Sequence, residues 1–233
     1  MPLTIEHHHH CTCESTQDLL NELFKQVPMS SKNILISSSN QTKGRGRQGN
    51  QWEQLDNSLA MSFSLKPNKV LTLTSLEIGV LICEYFKESK VKLKWPNDIL
   101  DEHGLKSGGI LCQNQSGTIL VGVGLNLGVS NKKQRSETYK FGRSHLLNKE
   151  FNDQDIKDES SKIYEYILDN RIKASELREK WNSYCFHINS QVEIRDESMN
   201  ITGKFIGIGE NGEALINTPK GNQKAFSGSL FLD

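Results

Sequence analysis

Three glycines alternate with two arginines in Gly44-Arg45-Gly46-Arg47-Gln48-Gly49-Asn50-Gln51-Trp52, and no other segment constrains the fold as tightly. Glycine admits positive φ and close approach of backbone N–H groups, while arginine presents a rigid, permanently charged donor fork. The run therefore reads as a loop, either one that binds anions or a solvated basic loop that touches nucleic acid. Asn33 to Ser38 reads as a short strand feeding the loop, and Leu59 to Leu65 alternates apolar and small residues as a half-buried strand does.

The chain has 233 residues, enough for one large domain or one domain with a small appendage. Lys plus Arg and Asp plus Glu are equal at 28 each, so no global field recruits nucleic acid or an anionic membrane, and electrostatic work must be local. No apolar run is long enough to span a bilayer, and Met1 to His10 lacks an apolar signal core, which predicts a cytoplasmic protein. Five cysteines, an odd number at low density, read as reduced thiols. In His7-His8-His9-His10-Cys11-Thr12-Cys13, adjacent histidines of an extended strand point to opposite faces, so the run reads as a polar strand or an engineered remnant rather than a zinc site.

Along the rest of the chain, Ser15 or Thr16 caps a helix through Phe24 with Leu19, Leu20, Leu23 and Phe24 on one face. A second helix spans about Leu73 to Lys87, which makes Cys83 a core residue rather than a nucleophile. Val91 to Trp95, Ile99 to Leu100, Leu105 to Cys112 and Thr118 to Val123 read as an antiparallel meander, and helices return from Asp153 to Tyr184. After Ile188 come short alternating strands with a tight turn at Gly209-Glu210-Asn211-Gly212. The predicted organisation is an α+β domain over residues 1–187, a mixed, mainly antiparallel sheet flanked by helices, followed by a small barrel over 188–233.

Standard nucleotide signatures are missing, since the chain has no G-x-x-x-x-G-K-[ST] and Gly122-Val123-Gly124 lacks a third glycine. Other loaded segments accompany the loop: Glu14-Ser15-Thr16-Gln17, Lys94-Trp95-Pro96-Asn97-Asp98, Lys106-Ser107-Gly108-Gly109-Ile110-Leu111 and Val121-Gly122-Val123-Gly124-Leu125-Asn126. In this order they resemble the biotin protein ligases, whose pattern is a Ser-Thr pair, GRGRxGRxW, KWPND, KxxGIL and a Gly-x-Asn segment. The resemblance runs from about Ser15 to the C-terminus.

It implies a class II synthetase-like catalytic fold with a C-terminal SH3-like barrel, closed by Ser227-Gly228-Ser229-Leu230. It also implies that biotin and ATP give biotinyl-5′-AMP and pyrophosphate, after which biotin passes to a lysine of a biotin carboxyl carrier protein. Ser15, Thr16, Gln17 and Gln41 fall on positions that hold the biotin head group, with Arg45, Gly46, Arg47, Lys106 and Gly109 completing that site. Gly44, Arg45, Arg47, Trp52, Asn97, Lys106 and Asn126 fall on the nucleotide side. Lys106, Arg47 and Asp98 are the expected catalytic residues, and Mg²⁺ is the implied metal. Asp98 is either a metal or lysine-orienting ligand or a turn residue capping its own backbone, and Trp52 and Trp95 either stack on adenine or pack as core.

The chemistry agrees with these residue types. A carboxylate and an α-phosphate, both anionic, must meet, so the site needs cations and donors that strengthen as charge builds on phosphorus. One departure is Asn50, where the family usually has arginine; the loop then holds the adenylate less tightly. Ser15 lies too near the start for the N-terminal DNA-binding domain that some ligases carry, so no nucleic acid partner is expected. A homodimer is possible through an edge strand, the same kind of surface that docks a carrier domain. Two other readings stay open: a lipoate or octanoate ligase of the same fold, and a non-catalytic protein that senses biotin or docks the carrier.

Overall fold

The computed structural model describes residues 4–26, 33–131, 142–196 and 198–232. Its larger sheet has seven strands: β1 (Ile5–Cys13), β2 (Asn33–Gln41), β3 (Ser58–Leu65), β4 (Lys92–Lys94), β5 (Asp98–Leu100), β6 (Lys106–Gln115) and β7 (Thr118–Asn126). They lie in the order β1-β2-β3-β7-β6-β5-β4. Only the β1–β2 ladder is parallel; the others are antiparallel, as the meander from Val91 to Val123 predicts.

Strand β3 is buried along its whole length between β2 and β7. Helix α1 (Thr16–Gln26) packs Leu20 against Ile34, Ile36 and Leu120 on one face. Helix α2 (Thr74–Tyr85), α3 (Asp153–Asp169) and α4 (Ala174–Tyr184) cover the other, where Phe63 and Tyr164 meet with ring centroids 4.6 Å apart. Ser15 caps α1 by accepting from Asp18 N, and Asn152 and Asp155 close a reciprocal capping box on α3. Cys83 is fully buried, and burial pushes its thiol far above the ordinary value, as suits a core residue.

The histidine run is strand β1. His7 and His9 face α3 and share Ser37 Oγ at 2.7 and 2.8 Å, whereas His8 turns the other way to Glu6. Asp153, the first residue of α3, receives Ser39 Oγ and Cys11 Sγ and lies 3.1 Å from His9 Nε2. These contacts fasten the helix to the edge of the sheet.

Glu77 of α2 is completely buried yet ionised. Burial alone would raise its pKa, but the Arg171 guanidinium, Asn68 and the backbone N–H of Ile172 hold it below the usual carboxylate range. Arg171 donates to both its oxygens, at 2.7 and 2.8 Å.

The C-terminal segment forms β8 (Gln191–Arg195), β9 (Asn200–Ile208), β10 (Ala214–Thr218), β11 (Gly221–Ala225) and β12 (Ser229–Leu232). They build an antiparallel sheet of order β11-β10-β9-β8-β12, in which the expected closing segment pairs with β8. The expected small C-terminal unit is this sheet, with its last strand beside its first; no ladder joins β11 to β12 among the described residues. Trp95 is buried and donates from Nε1 to Gly212 O, and Phe186 N donates to Leu93 O, so this sheet leans on β4. Of the two indoles considered above, Trp95 is therefore the packing residue.

Candidate functional site

The glycine and arginine loop is organised by its own backbone. Trp52 N donates to Gly44 O, Gly46 N to Asn50 O, and Asn50 N to Arg47 O, at 2.9, 2.7 and 3.0 Å. A Cβ on Gly44 would lie 2.6 Å from Trp52 O, so the two arms of the loop close only around glycine. Arg45 turns outward and donates to Asp18 at 2.9 Å. Arg47 turns inward and donates to Asn97 Oδ1 at 3.3 Å; burial lowers its pKa from the ordinary value, and Asp98 opposes that shift.

Beyond Arg47 the hairpin from β4 to β5 and the start of β6 bring three charges together. Asp98 Oδ1 is 2.5 Å from Lys106 Nζ, and Asp98 Oδ2 is 3.3 Å from Lys94 Nζ. Burial resists ionisation of Asp98, but the two ammonium groups override it and hold the carboxyl below its usual range. Asp98 does not cap its own turn. Both its oxygens are engaged by cations, so in this arrangement it is a counter-ion and does not fit a Mg²⁺ ligand. Among the described residues no group of three or more His, Cys, Asp or Glu is arranged to hold a metal.

The other end of the site is neutral. Gln41 Oε1 accepts from Thr16 N and Thr16 Oγ1 at 2.7 and 3.1 Å, and Thr16 Oγ1 meets Ser62 Oγ at 2.9 Å. Gln17 Nε2 donates to Gln113 Oε1 and Leu120 O, while its Oε1 is buried without a hydrogen-bond partner among the described residues. Ser15, Thr16 and Gln17 are almost wholly buried, so this is a floor of small polar groups rather than a solvated helix start.

One cavity of about 1010 Å³ joins the two ends. It is lined by Ser15, Thr16, Gln17 and Gln41 at one end and by Arg45, Gly46, Arg47, Asn97, Asp98, Lys106 and Gly109 at the other. Trp52 stands between them against Gly124, where a Cβ would lie 2.6 Å from the ring, and Lys106 Nζ is 5.7 Å from the ring centroid. Its Nε1 is buried with no hydrogen-bond partner among the described residues. Gly44 lines an adjoining hollow on the outer side of the loop.

Asn126 is placed differently from the expectation. It is fully buried behind the wall, its carbonyl accepting from Leu55 N and Ser58 Oγ and its amide donating to Ser144 O. Sequence reasoning missed Lys94, Ser62 and Gln113. Lys94 was legible as the first residue of the Lys-Trp-Pro-Asn-Asp run; Ser62 and Gln113 carry no local signal, because only the strand register brings Ser62 to the cavity and Gln113 to Gln17.

Residues 10–130 match the Biotin/lipoate A/B protein ligase family, and residues 187–231 match the Biotin protein ligase C terminal domain. The chain belongs to the Biotin/lipoate A/B protein ligase family. Within it, this chain is 36% identical to Biotin--protein ligase 2 of Arabidopsis thaliana over 51% of its own length and 39% of that relative's. It is 26% identical to the chloroplastic Biotin--protein ligase 1 of the same plant over 91% of this chain and 65% of the relative. The chain thus spans less than two thirds of these two relatives. A solved structure, the Aquifex aeolicus biotin protein ligase in complex with biotin and ATP, superposes with a TM-score of 0.73. It shares 27% identity, with 98% of this chain and 99% of that chain covered.

Proposed function

We propose that this chain is a biotin protein ligase that activates biotin with ATP and transfers it to a lysine of a biotin carboxyl carrier domain, in the cytoplasm. The observation that carries the proposal is the single cavity with a neutral amide and hydroxyl floor at one end and Arg47, Lys94, Asp98 and Lys106 at the other. A ureido ring, with a carbonyl acceptor and two N–H donors, suits the Thr16, Gln17 and Gln41 end. The carboxylate tail of such a ligand then points toward the cations.

In the first step a biotin carboxylate oxygen attacks the α-phosphorus of ATP and the bond to the β-phosphate oxygen breaks, releasing pyrophosphate. Arg47 and Lys106 are placed to neutralise the meeting anions, and charge-assisted donors that strengthen as the transition state forms accelerate such a step. Mg²⁺ would enter with the phosphates, since Asp98 is committed to the lysines. In the second step a carrier lysine amine attacks the acyl carbon, AMP leaves, and an amide forms. The fit of Thr16, Gln17 and Gln41 to a ureido group favours biotin over the lipoate and octanoate readings, neither of which offers that ring.

The test is ATP-dependent pyrophosphate release by the purified chain with biotin, lipoate or octanoate, and with Lys106→Ala as the control. Release with biotin alone, abolished in the variant, supports the proposal. Release with lipoate moves the chain to the sister activity, and none with any acid favours the non-catalytic reading.

A further inference from the structure

Arg143 stands out among the charged side chains that the site has not absorbed. Its side chain is 9% exposed, and it belongs to a short segment that adds to the sheet beside Lys106. Lys106 N donates to Gly142 O and Ser144 N to Lys106 O, so Arg143 is the residue in register with Lys106. The same segment is fastened to the end of β7 through Leu146 N to Asn126 O and Leu147 N to Leu127 O. From this rigid platform Arg143 Nη1 reaches across to Glu53, 3.4 Å from its backbone oxygen and 3.7 Å from its carboxylate.

Glu53 directly follows Trp52, so it is the exit of the glycine and arginine loop. The side chains that hold the entry of that loop are Lys43 to Glu14 and Arg45 to Asp18, at 2.8 and 2.9 Å, and they are between 38% and 70% exposed. Exposed pairs of this kind contribute little and weaken with salt. A guanidinium hidden from water that donates to a backbone carbonyl is a stronger and less screened restraint. The backbone thus fastens the loop where it begins, through Thr42 N to Cys13 O and Lys43 N to Glu14 O at 3.0 and 2.8 Å, and a buried guanidinium holds it where it ends.

We propose that Arg143 is a positioning residue for Trp52: it fixes the loop exit at Glu53 and so sets the indole against Gly124, beside the nucleotide end of the cavity. Arg143 itself is not part of the cavity lining, whereas Trp52 and Gly124 are. The consequence for binding rests on the nucleotide role given above to Trp52; the placement of the indole does not.

The experiment uses the full chain with Arg143→Met, Arg143→Lys and Glu53→Gln, each with and without Trp52→Phe, so that the difference spectrum isolates Trp52 emission. Arg143→Met is expected to shift Trp52 emission to the red and to raise the ATP KM for pyrophosphate release by about tenfold, with the biotin KM unchanged within about twofold. Arg143→Lys should recover most of both effects, since an ammonium also donates to a carbonyl. Glu53→Gln, which keeps the backbone acceptor, should leave the emission near that of the parent. If Arg143→Met does not fold, Arg143→Gln, whose shorter amide does not reach Glu53, reads the emission and the KM ratio in its place.

Unchanged Trp52 emission in every Arg143 variant, or equal increases in both KM values, would overturn the proposal. A chain that releases no pyrophosphate with biotin would sink the ligase reading alone, because the emission shift is measured without substrate.

Discussion

Lys106 Nζ lies 2.5 Å from Asp98 Oδ1, close enough that the position of each charge depends on the other. Lys94 holds the second oxygen, so one carboxylate organises two cations at the end of the cavity where phosphate is expected. Asp98→Asn keeps the shape and removes the charge. Pyrophosphate release should fall about 100-fold, the scale seen when one preorganised electrostatic partner is lost. Lys94→Ala removes the partner with the longer contact and should cost about tenfold. The folded pKa of Asp98 is depressed, so its contribution is present above the unfolded value of about 3.9 and lost only below it. Rates between pH 5 and 8 should show no titration from this group. An Asp98→Asn enzyme as active as the parent would exclude the arrangement as functional.

Two glycines on β7, Gly122 and Gly124, separate the two ends of the cavity experimentally. A Cβ on Gly122 would meet Gln17 Oε1 at 2.7 Å, and one on Gly124 would meet the Trp52 ring at 2.6 to 2.9 Å. Both methyl groups are too close to be tolerated without movement. Gly122→Ala should raise the biotin KM and leave the ATP KM within about twofold, and Gly124→Ala should do the reverse, each by about tenfold for a displacement worth about 1.4 kcal/mol. Steady-state titration of both substrates against both variants reads this directly. Identical effects of the two substitutions would mean that the ends are not distinct.

Much of this site was legible in the sequence because its residues sit in short runs whose chemistry is local. Gly44 to Trp52 must be a loop, and Lys106 beside Gly108 and Gly109 announces close approach; a Cβ on Gly108 would lie 2.8 Å from Gly124 O. What was not legible depends on register. Ser62 reaches Thr16 only because β3 pairs with β2 so that Ser62 stands opposite Ile36, and Arg143 reaches Glu53 across a stretch of 90 residues. Asn126 misled for the same reason: a polar residue after Gly124 looks like pocket lining until the end of β7 is seen to need it for Leu55, Ser58 and Ser144. At the C-terminus, alternation predicts the strands but not their order, in which the last, β12, lies beside the first, β8.

His187 is completely buried where the C-terminal segment begins, with its ring 4.2 Å from that of Phe205 and Nδ1 3.6 Å from Cys185 Sγ. Burial, helped by Lys94, lowers its pKa to about 3, against about 6.5 in an unfolded chain. Because the folded value is depressed, the unfolded chain takes the proton first as pH falls. Stability is complete above about pH 6.5 and is lost toward pH 3, at about 1.4 kcal/mol per pH unit for this one group. His7, lowered to about 4 mainly by burial, adds to the same slope. Urea unfolding at pH 7.5 and 4.5 should therefore show a smaller pH dependence in His187→Leu than in the parent. An unchanged slope would show that His187 is not buried neutral.

Glu77 and Arg171 join α2 to the segment after α3, and only Arg171 has appreciable access to water, 28% against 0%. Glu77→Gln leaves the guanidinium half-buried without its counter-charge. Breaking one side of such a pair costs about 3 to 5 kcal/mol when both are buried, and the exposure of Arg171 argues for less than that, about 2 to 3 kcal/mol. Arg171→Met added to Glu77→Gln should recover part of the loss, because the orphaned charge is gone. Denaturant unfolding of the two single variants and the double variant tests this. Strict additivity would mean that the ion pair is not what holds these segments.

Asn50 is the place where the chain departs from the arginine usual in the resemblance. Its backbone carbonyl accepts from Gly46 N, whereas its side chain is exposed. With φ −63° and ψ 146° the position accepts any L residue, so Asn50→Arg adds a cation without disturbing the loop. A third arginine in this loop should strengthen its hold on an adenylate phosphate, and release of biotinyl-AMP should slow several-fold at low salt. At an exposed position that gain is screened, so it should shrink as ionic strength rises toward about 1 M, where the screening length is about 3 Å. A stopped chase of labelled intermediate, with carrier domain omitted, measures the release rate. A rate that is the same in Asn50→Arg and the parent at both salt concentrations would place the retention of the intermediate elsewhere, in Arg47, Lys106 and the indole of Trp52.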